Sequence, residues 1–160
     1  ARVPLRVLHH GEDAVGEEIF PTLLTRALDL RGELLGLDAV TDAYRVVSSD
    51  GDGLSGLIVD RYGELLVMQC LSFGMDSRKE LLAEILMKEL NVSGIYLRNE
   101  AKSRSLEGLP LERIVFADDV LFQDACPAIR ACGVEVPAAL EVVVLANRSI
   151  PLPQLFPFTL

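Results

Sequence analysis

The residues best placed to do chemistry lie in Ser48-Ser49-Asp50-Gly51-Asp52-Gly53, a loop of acids and glycines ahead of an apolar run. A calcium loop needs oxygen ligands at its first, third and fifth positions, Gly at the sixth and Glu at the twelfth. With Gly53 in the sixth place, Ser48, Asp50 and Asp52 take the ligand positions, but Val59 falls where the bidentate carboxylate is required. Calcium is therefore not expected. The loop also fails as a phosphate cradle: it has neither a GxxxxGKS/T nor a GxGxxG pattern, and its carboxylates would repel an anion. It reads instead as a tight turn in which Gly51 and Gly53 relieve backbone strain. Asp60, in Asp60-Arg61-Tyr62-Gly63, reads as a turn former rather than a general base.

The other reactive side chains are scattered. His9 and His10 are adjacent, so on a strand they face opposite ways and cannot share one ion. Cys70, Cys126 and Cys132 form no CxxC pair and sit in or beside apolar stretches, as structural thiols do. An odd number of cysteines also favours a reducing compartment over a disulfide framework. Asp118-Asp119 has no His or Ser arrangement beside it. A metal-dependent hydrolase built on Asp50, Asp52, Asp118 and Asp119 would need those carboxylates to converge, with no His in support. No catalytic residue and no metal ligand is expected. One polar segment stands apart: Arg98-Asn-Glu-Ala-Lys-Ser-Arg-Ser-Leu-Glu-Gly108 carries Arg98, Lys102 and Arg104 in a chain of net charge −9. Cations at that spacing can reach separate phosphates, so these three are the candidate RNA-backbone contacts.

The elements that position these residues follow from periodicity. At 160 residues and 50% hydrophobic, the chain can bury a core without staples. Its negative charge is the wrong sign for a surface that grips nucleic acid strongly by itself. No apolar run reaches membrane-spanning length, which points to a soluble, cytoplasmic protein with no membrane partner. Residues 2–8 alternate apolar and basic, as a half-buried strand does, and a strand so early suggests a larger protein with an upstream part. Phe20, Leu23, Leu24, Ala27, Leu28, Leu34 and Leu35 predict one amphipathic helix over residues 17–35, stopped at Gly36. Tyr44 to Val47 predicts a strand. Leu57–Val59 and Leu65–Leu71 predict a hairpin turning on Asp60 to Gly63. A second helix is expected with Asp76 or Ser77 as its cap, Leu81, Leu82, Ile85, Leu86 and Leu90 as its stripe, and Asn91 as its end. Strands are expected at residues 94–97, 114–116, 133–136 and 140–145. The order predicts a mixed α+β (α/β) fold, with two main helices on a hairpin-containing mixed sheet.

Three strings carry a resemblance: "YRVVSSDGDGLSGLIVDRYGELLVMQ", "IYLRNEAKSRSLEGLPLE", and "RVPLRVL" followed by a long helix. In this order they resemble the region ahead of the catalytic domain in class I S-adenosylmethionine-dependent 23S rRNA cytosine-C5 methyltransferases. Those enzymes join an RNA-binding PUA domain, a middle α/β domain and a Rossmann-like catalytic domain. The resemblance implies that residues 1–14 end a PUA-like domain and that 15–118 form the linking helix and middle domain. Residues 119–160 would be a divergent tail, the product of a truncation or a frameshift. It implies S-adenosylmethionine as the parent enzyme's cofactor and 23S-type ribosomal RNA, not DNA, as its partner; a homodimer is compatible with it.

The departures are specific. Ser55 stands where the family commonly has Pro. Beyond about residue 114 the likeness fades, and the tail "NRSIPLPQLFPFTL" has no cofactor loop, no ribose-binding acid and no nucleophilic-Cys motif. The role of the family's catalytic cysteine is therefore carried over to neither Cys126 nor Cys132. Methylation at cytosine C5 needs a thiolate on C6 and a sulfonium donor beside the base. Without the Rossmann domain the chain is expected to bind the donor poorly and transfer nothing. The expected role is a connecting domain that positions others; the alternative is an interaction module whose acidic surface meets a protein partner.

Overall fold

The structure, a computed structural model, describes residues 7–8, 16–117 and 141–144. Its centre is one six-stranded sheet in chain order. The strands are β1 (Ala43–Ser48), β2 (Leu57–Tyr62), β3 (Leu65–Cys70), β4 (Gly94–Asn99), β5 (Glu112–Ala117) and β6 (Glu141–Val144). β1/β2, β2/β3 and β4/β5 pair antiparallel, whereas β3/β4 and β5/β6 pair parallel. A parallel pair needs a long crossover, and between β3 and β4 it is supplied by the short α2 (Phe73–Asp76) and by α3 (Lys79–Leu90). The expected mixed α+β architecture is thus present.

The helices share one sheet face. α1 (Ile19–Asp29) contributes Phe20, Leu24 and Ala27, and α3 contributes Leu81, Leu82, Ala83, Ile85, Leu86 and Met87. They meet Leu57 and Val59, Leu66 and Met68, and Ile95 and Leu97, which alternate along three neighbouring strands. Each large side chain buried this way contributes about 1.5–3 kcal/mol. β1 departs from strict alternation because its register shifts between Arg45 and Val47, and Val46 and Val47 are both buried. α3 ends on Asn91 in the left-handed conformation (φ 47°), as expected.

Four expectations need correction. The hairpin turns on Gly63-Glu64, not Asp60: Tyr62 pairs with Leu65, and Gly63 (φ 59°) takes the first central position. Asp60 lies within β2 opposite Arg45, which donates to it from Nε at 2.7 Å. α3 has no side-chain cap; Asp76 ends α2 and its carboxylate is used elsewhere. The helix over 17–35 changes character at Leu30–Leu34, a π-helical turn. Its wider spacing shifts the phase of the apolar stripe, so Leu34 and Leu35 are 77% and 57% exposed rather than buried. Gly36 still ends the segment at φ 61°.

The acidic loop is scaffolding. Asp52 accepts a fork from Arg31 (2.6 and 2.8 Å) and the backbone N–H of Ser48 at 2.6 Å. Arg31 sits in the π turn, so this partly buried pair pins α1 to the sheet edge. Backbone relief comes from Ser49 (φ 49°) and Gly53 (φ 73°), with Gly51 outside the left-handed region. Of the strand expected over 2–8, only Val7 and Leu8 are described, and neither is in a strand. His9, His10, Cys126, Cys132, Asp118, Asp119 and the strand at 133–136 lie outside the described residues, as does most of the proposed tail. Among the described residues no helix is long and apolar enough to cross a membrane.

Candidate nucleic-acid interface

The segment after β4 is built around a buried polar node. Asn99, fully enclosed at the end of β4, accepts the Cys70 N–H on Oδ1 at 2.8 Å. Its Nδ2 donates to Asp76 (3.3 Å) and to Glu112 (3.1 Å). The chain then forms a 3-10 turn, Lys102–Glu107, closed by Gly108 at φ 75°. Beyond it, the Leu109 N–H donates to the Arg104 carbonyl at 3.1 Å.

Arg104 points into the protein and is 0% exposed. Its guanidinium donates twice to the Pro110 carbonyl (3.0 and 2.9 Å) and once to the Cys70 carbonyl. It also pairs with Asp76 at 2.8 Å and with Glu112 at 3.4 Å. Lys79, at the start of α3, donates to the same Glu112 oxygen at 2.7 Å. A buried charge is tolerable only when paired and hydrogen-bonded, and here the ends of β3 and α2, the Pro110 carbonyl and the start of β5 supply the partners.

Of the three candidate contacts, then, the structure separates one from the others. Arg104 has its donors committed inside the fold, so it cannot also offer them to a phosphate. Arg98 and Lys102 are exposed. Arg98 lies directly opposite Arg113 on β5, and Glu100 pairs with both. Like charges opposite each other on a sheet are destabilising, and one carboxylate offsets two cations. The segment is less acidic than the rest of the chain: residues 98–108 hold Arg98, Lys102 and Arg104 against Glu100 and Glu107.

Titration follows this geometry. Burial pushes the Glu112 carboxyl up, but hydrogen bonds from Lys79 and Asn99 and the charges of Lys79 and Arg104 outweigh it and hold the carboxyl below its ordinary 4.5. Burial likewise pushes Lys79 down, but Glu112 and Asp76 hold it above 10.5. A carboxylate lowered by folding contributes fully above its unfolded value and loses that contribution as pH falls through the folded one. A raised lysine contributes below its unfolded value and loses it as pH rises through the folded one. Stability is therefore expected to fall on acidification below about pH 4.5, and Glu112→Gln should flatten that limb. Urea midpoints measured down through the carboxylate range check this; equal acid slopes in the two proteins would contradict it.

Cys70, enclosed beneath the node, is no nucleophile: burial and the charge of Asp76 push its thiol up to about 12. Among the described residues no group of three His, Cys, Asp or Glu side chains could hold a metal ion. Sequence reasoning missed the inward turn of Arg104. The available signal was local: an Arg between two serines, then Leu-Glu-Gly-Leu-Pro and an acidic residue at 112.

No family model matches the chain. Its similarity to curated proteins is consistent in kind. It is 38% identical over 100 residues to "Ribosomal RNA large subunit methyltransferase I" of Shewanella amazonensis, covering 62% of this chain and 25% of that protein. The protein of the same description from Aliivibrio fischeri is 37% identical over 97 residues, covering 61% and 24%. The one from Vibrio cholerae is 30% identical over 109 residues, covering 68% and 27%. The chain thus spans about a quarter of the length of the curated relatives it matches. A solved structure of a putative methyltransferase complexed with SAH superposes with TM-score 0.49 at 20% identity, over 56% of this chain and 23% of that one.

Proposed function

We propose that this chain is the connecting part of an S-adenosylmethionine-dependent methyltransferase of large-subunit ribosomal RNA. In this reading the end of β4 and the segment after it meet the RNA backbone through Arg98 and Lys102. Arg104 is the internal anchor that fixes their loop. The observation that carries it is the pairing of two exposed cations with a loop braced from inside by a fully buried arginine. A preorganised loop loses little entropy when it binds. A phosphate near Arg98 and Arg113 would also relieve their mutual repulsion, which Glu100 offsets in part. The names of the relatives supply the substrate class.

The described residues do not fit the methyl donor. A Rossmann-type site needs a glycine-rich turn leading from a strand into a helix N-terminus, with an acid for the ribose. The left-handed glycines here, at 36, 53, 56, 63 and 108, close helical turns or precede and join strands. The donor would therefore be held by residues other than the described ones, and in this reading the described residues position RNA.

Binding to 23S-type ribosomal RNA tests this. Each phosphate contact removed should lower the salt slope of the binding constant by about 1 and weaken binding across sequences alike. Arg98→Ala with Lys102→Ala is expected to remove about 2 from that slope. An unchanged slope would remove the loop from the interface. A second reading has its own observation: exposed Leu34, Leu35 and Val40 lie among Asp29, Glu33 and Asp42, an apolar surface with acidic neighbours. No RNA binding at any salt would favour a basic protein partner there.

A further inference from the structure

Besides its cations, the node after β4 carries exposed apolar groups that the backbone contacts do not require. Phe73 is 62% exposed, Leu111 59% and Leu106 47%. Phe73 opens α2, whose last residue Asp76 pairs with Arg104. Leu106 lies in the 3-10 turn that contains Arg104, and Leu111 stands between Pro110 and Glu112, both of which Arg104 contacts. The three exposed apolar residues thus lie on segments that one buried guanidinium ties together, and Lys102 belongs to the same turn as Leu106.

Phe73 needs a reason to face water. A Phe left largely exposed forgoes most of the roughly 1.5–3 kcal/mol that its burial would contribute. The acids of this end are engaged: Asp76 and Glu112 by Arg104, Asn99 and Lys79, and Glu100 by two arginines. An exposed aromatic ring on a segment tied to one that carries an exposed cation, with Asp76, Glu100 and Glu112 paired, suits single-stranded nucleic acid: a phosphate on the cation, a base face on the ring.

We propose that Phe73 is a stacking platform for an unpaired base, flanked by Leu106 and Leu111, while Lys102 takes an adjacent phosphate. This deepens the RNA-binding reading above and rests on it. The ligand class is single-stranded RNA, because in a duplex the base faces are already stacked.

The chain contains no tryptophan, so Phe73→Trp makes a unique fluorescent reporter. Titrating this variant of the whole chain with a short unstructured oligoribonucleotide should quench its emission, and the same sequence as a duplex should not. Phe73→Ala should weaken single-strand binding about 5- to 100-fold with its salt slope unchanged, and Phe73→Tyr should restore it. Lys102→Ala should lower the salt slope instead. If Phe73→Ala binds as tightly as the parent chain while Lys102→Ala loses slope, the platform is overturned and the backbone reading stands. If neither variant changes binding, both fall. Quenching by duplex and single strand alike would also overturn the platform. Phe73 is exposed, so its variants are not expected to disturb folding.

Discussion

Replacing Arg104 with alanine is expected to destabilise the domain by about 3–5 kcal/mol, because it strands partly buried acids opposite an empty site. Asp76 and Glu112 keep only 13% and 19% of their side-chain surface in water. The carbonyls of Cys70 and Pro110 would lose their guanidinium donors as well. Against a total stability of roughly 5–15 kcal/mol, this is enough to unfold a marginal domain near physiological temperature. Lysine at 104 keeps the charge but cannot form the planar fork, so Arg104→Lys should recover only part of the loss. The mechanism makes a sharper forecast through the partners. Once Asp76 and Glu112 are also replaced by uncharged residues of similar size, Arg104→Ala should cost much less. Urea unfolding of the single and multiple variants measures this, and an additive result would show that the acids do not depend on Arg104.

Gly56→Ala is expected to cost roughly 2–5 kcal/mol, from a left-handed backbone and a steric clash together. Gly56 has φ 91°, and a Cβ there would lie 2.5 Å from the Ser72 Oγ and 2.7 Å from its Cβ. The approach is close because the Leu71 N–H donates to the Gly56 carbonyl at 2.7 Å, locking the entry to β2 against the exit from β3. Ser72→Gly in the same chain should recover the steric part and leave the backbone part. Thermal unfolding separates the two: full recovery would mean that φ at residue 56 carries no strain, contrary to this account.

These two positions also show what the sequence could and could not disclose. Apolar runs at 57–59 and 65–71 announced a hairpin, because alternation against one buried face sets strand positions strongly. The turn itself lies two residues further along than the pattern indicates, at Tyr62 to Leu65 rather than Asp60 to Gly63. Asp60 and Gly63 match a common turn pattern, and the pairing of Asp60 with Val67 on β3 and with Arg45 on β1 shows that Asp60 stays within a strand. Helix periodicity located α1 and α3, but the π turn at Leu30–Leu34 owes nothing to periodicity. It goes with the reach of Arg31 to Asp52, a contact 21 residues away in sequence. Arg104 is the clearest case. A loop arginine flanked by serines looks solvated, and its partners stand 28 residues before it and 8 after it. Charge alone predicted a basic loop; which of its cations face outward depended on tertiary pairing.

The claim on which the rest depends is that RNA meets this chain at the segment after β4. Ultraviolet crosslinking of the chain to 23S-type ribosomal RNA, followed by mass spectrometry of the linked peptides, reports the contact directly. Nucleotide adducts are expected on peptides spanning residues 98–108 and on the peptide containing Phe73. Adducts confined to residues 26–43, the surface around Leu34 and Val40, with none on residues 98–108, would contradict that claim.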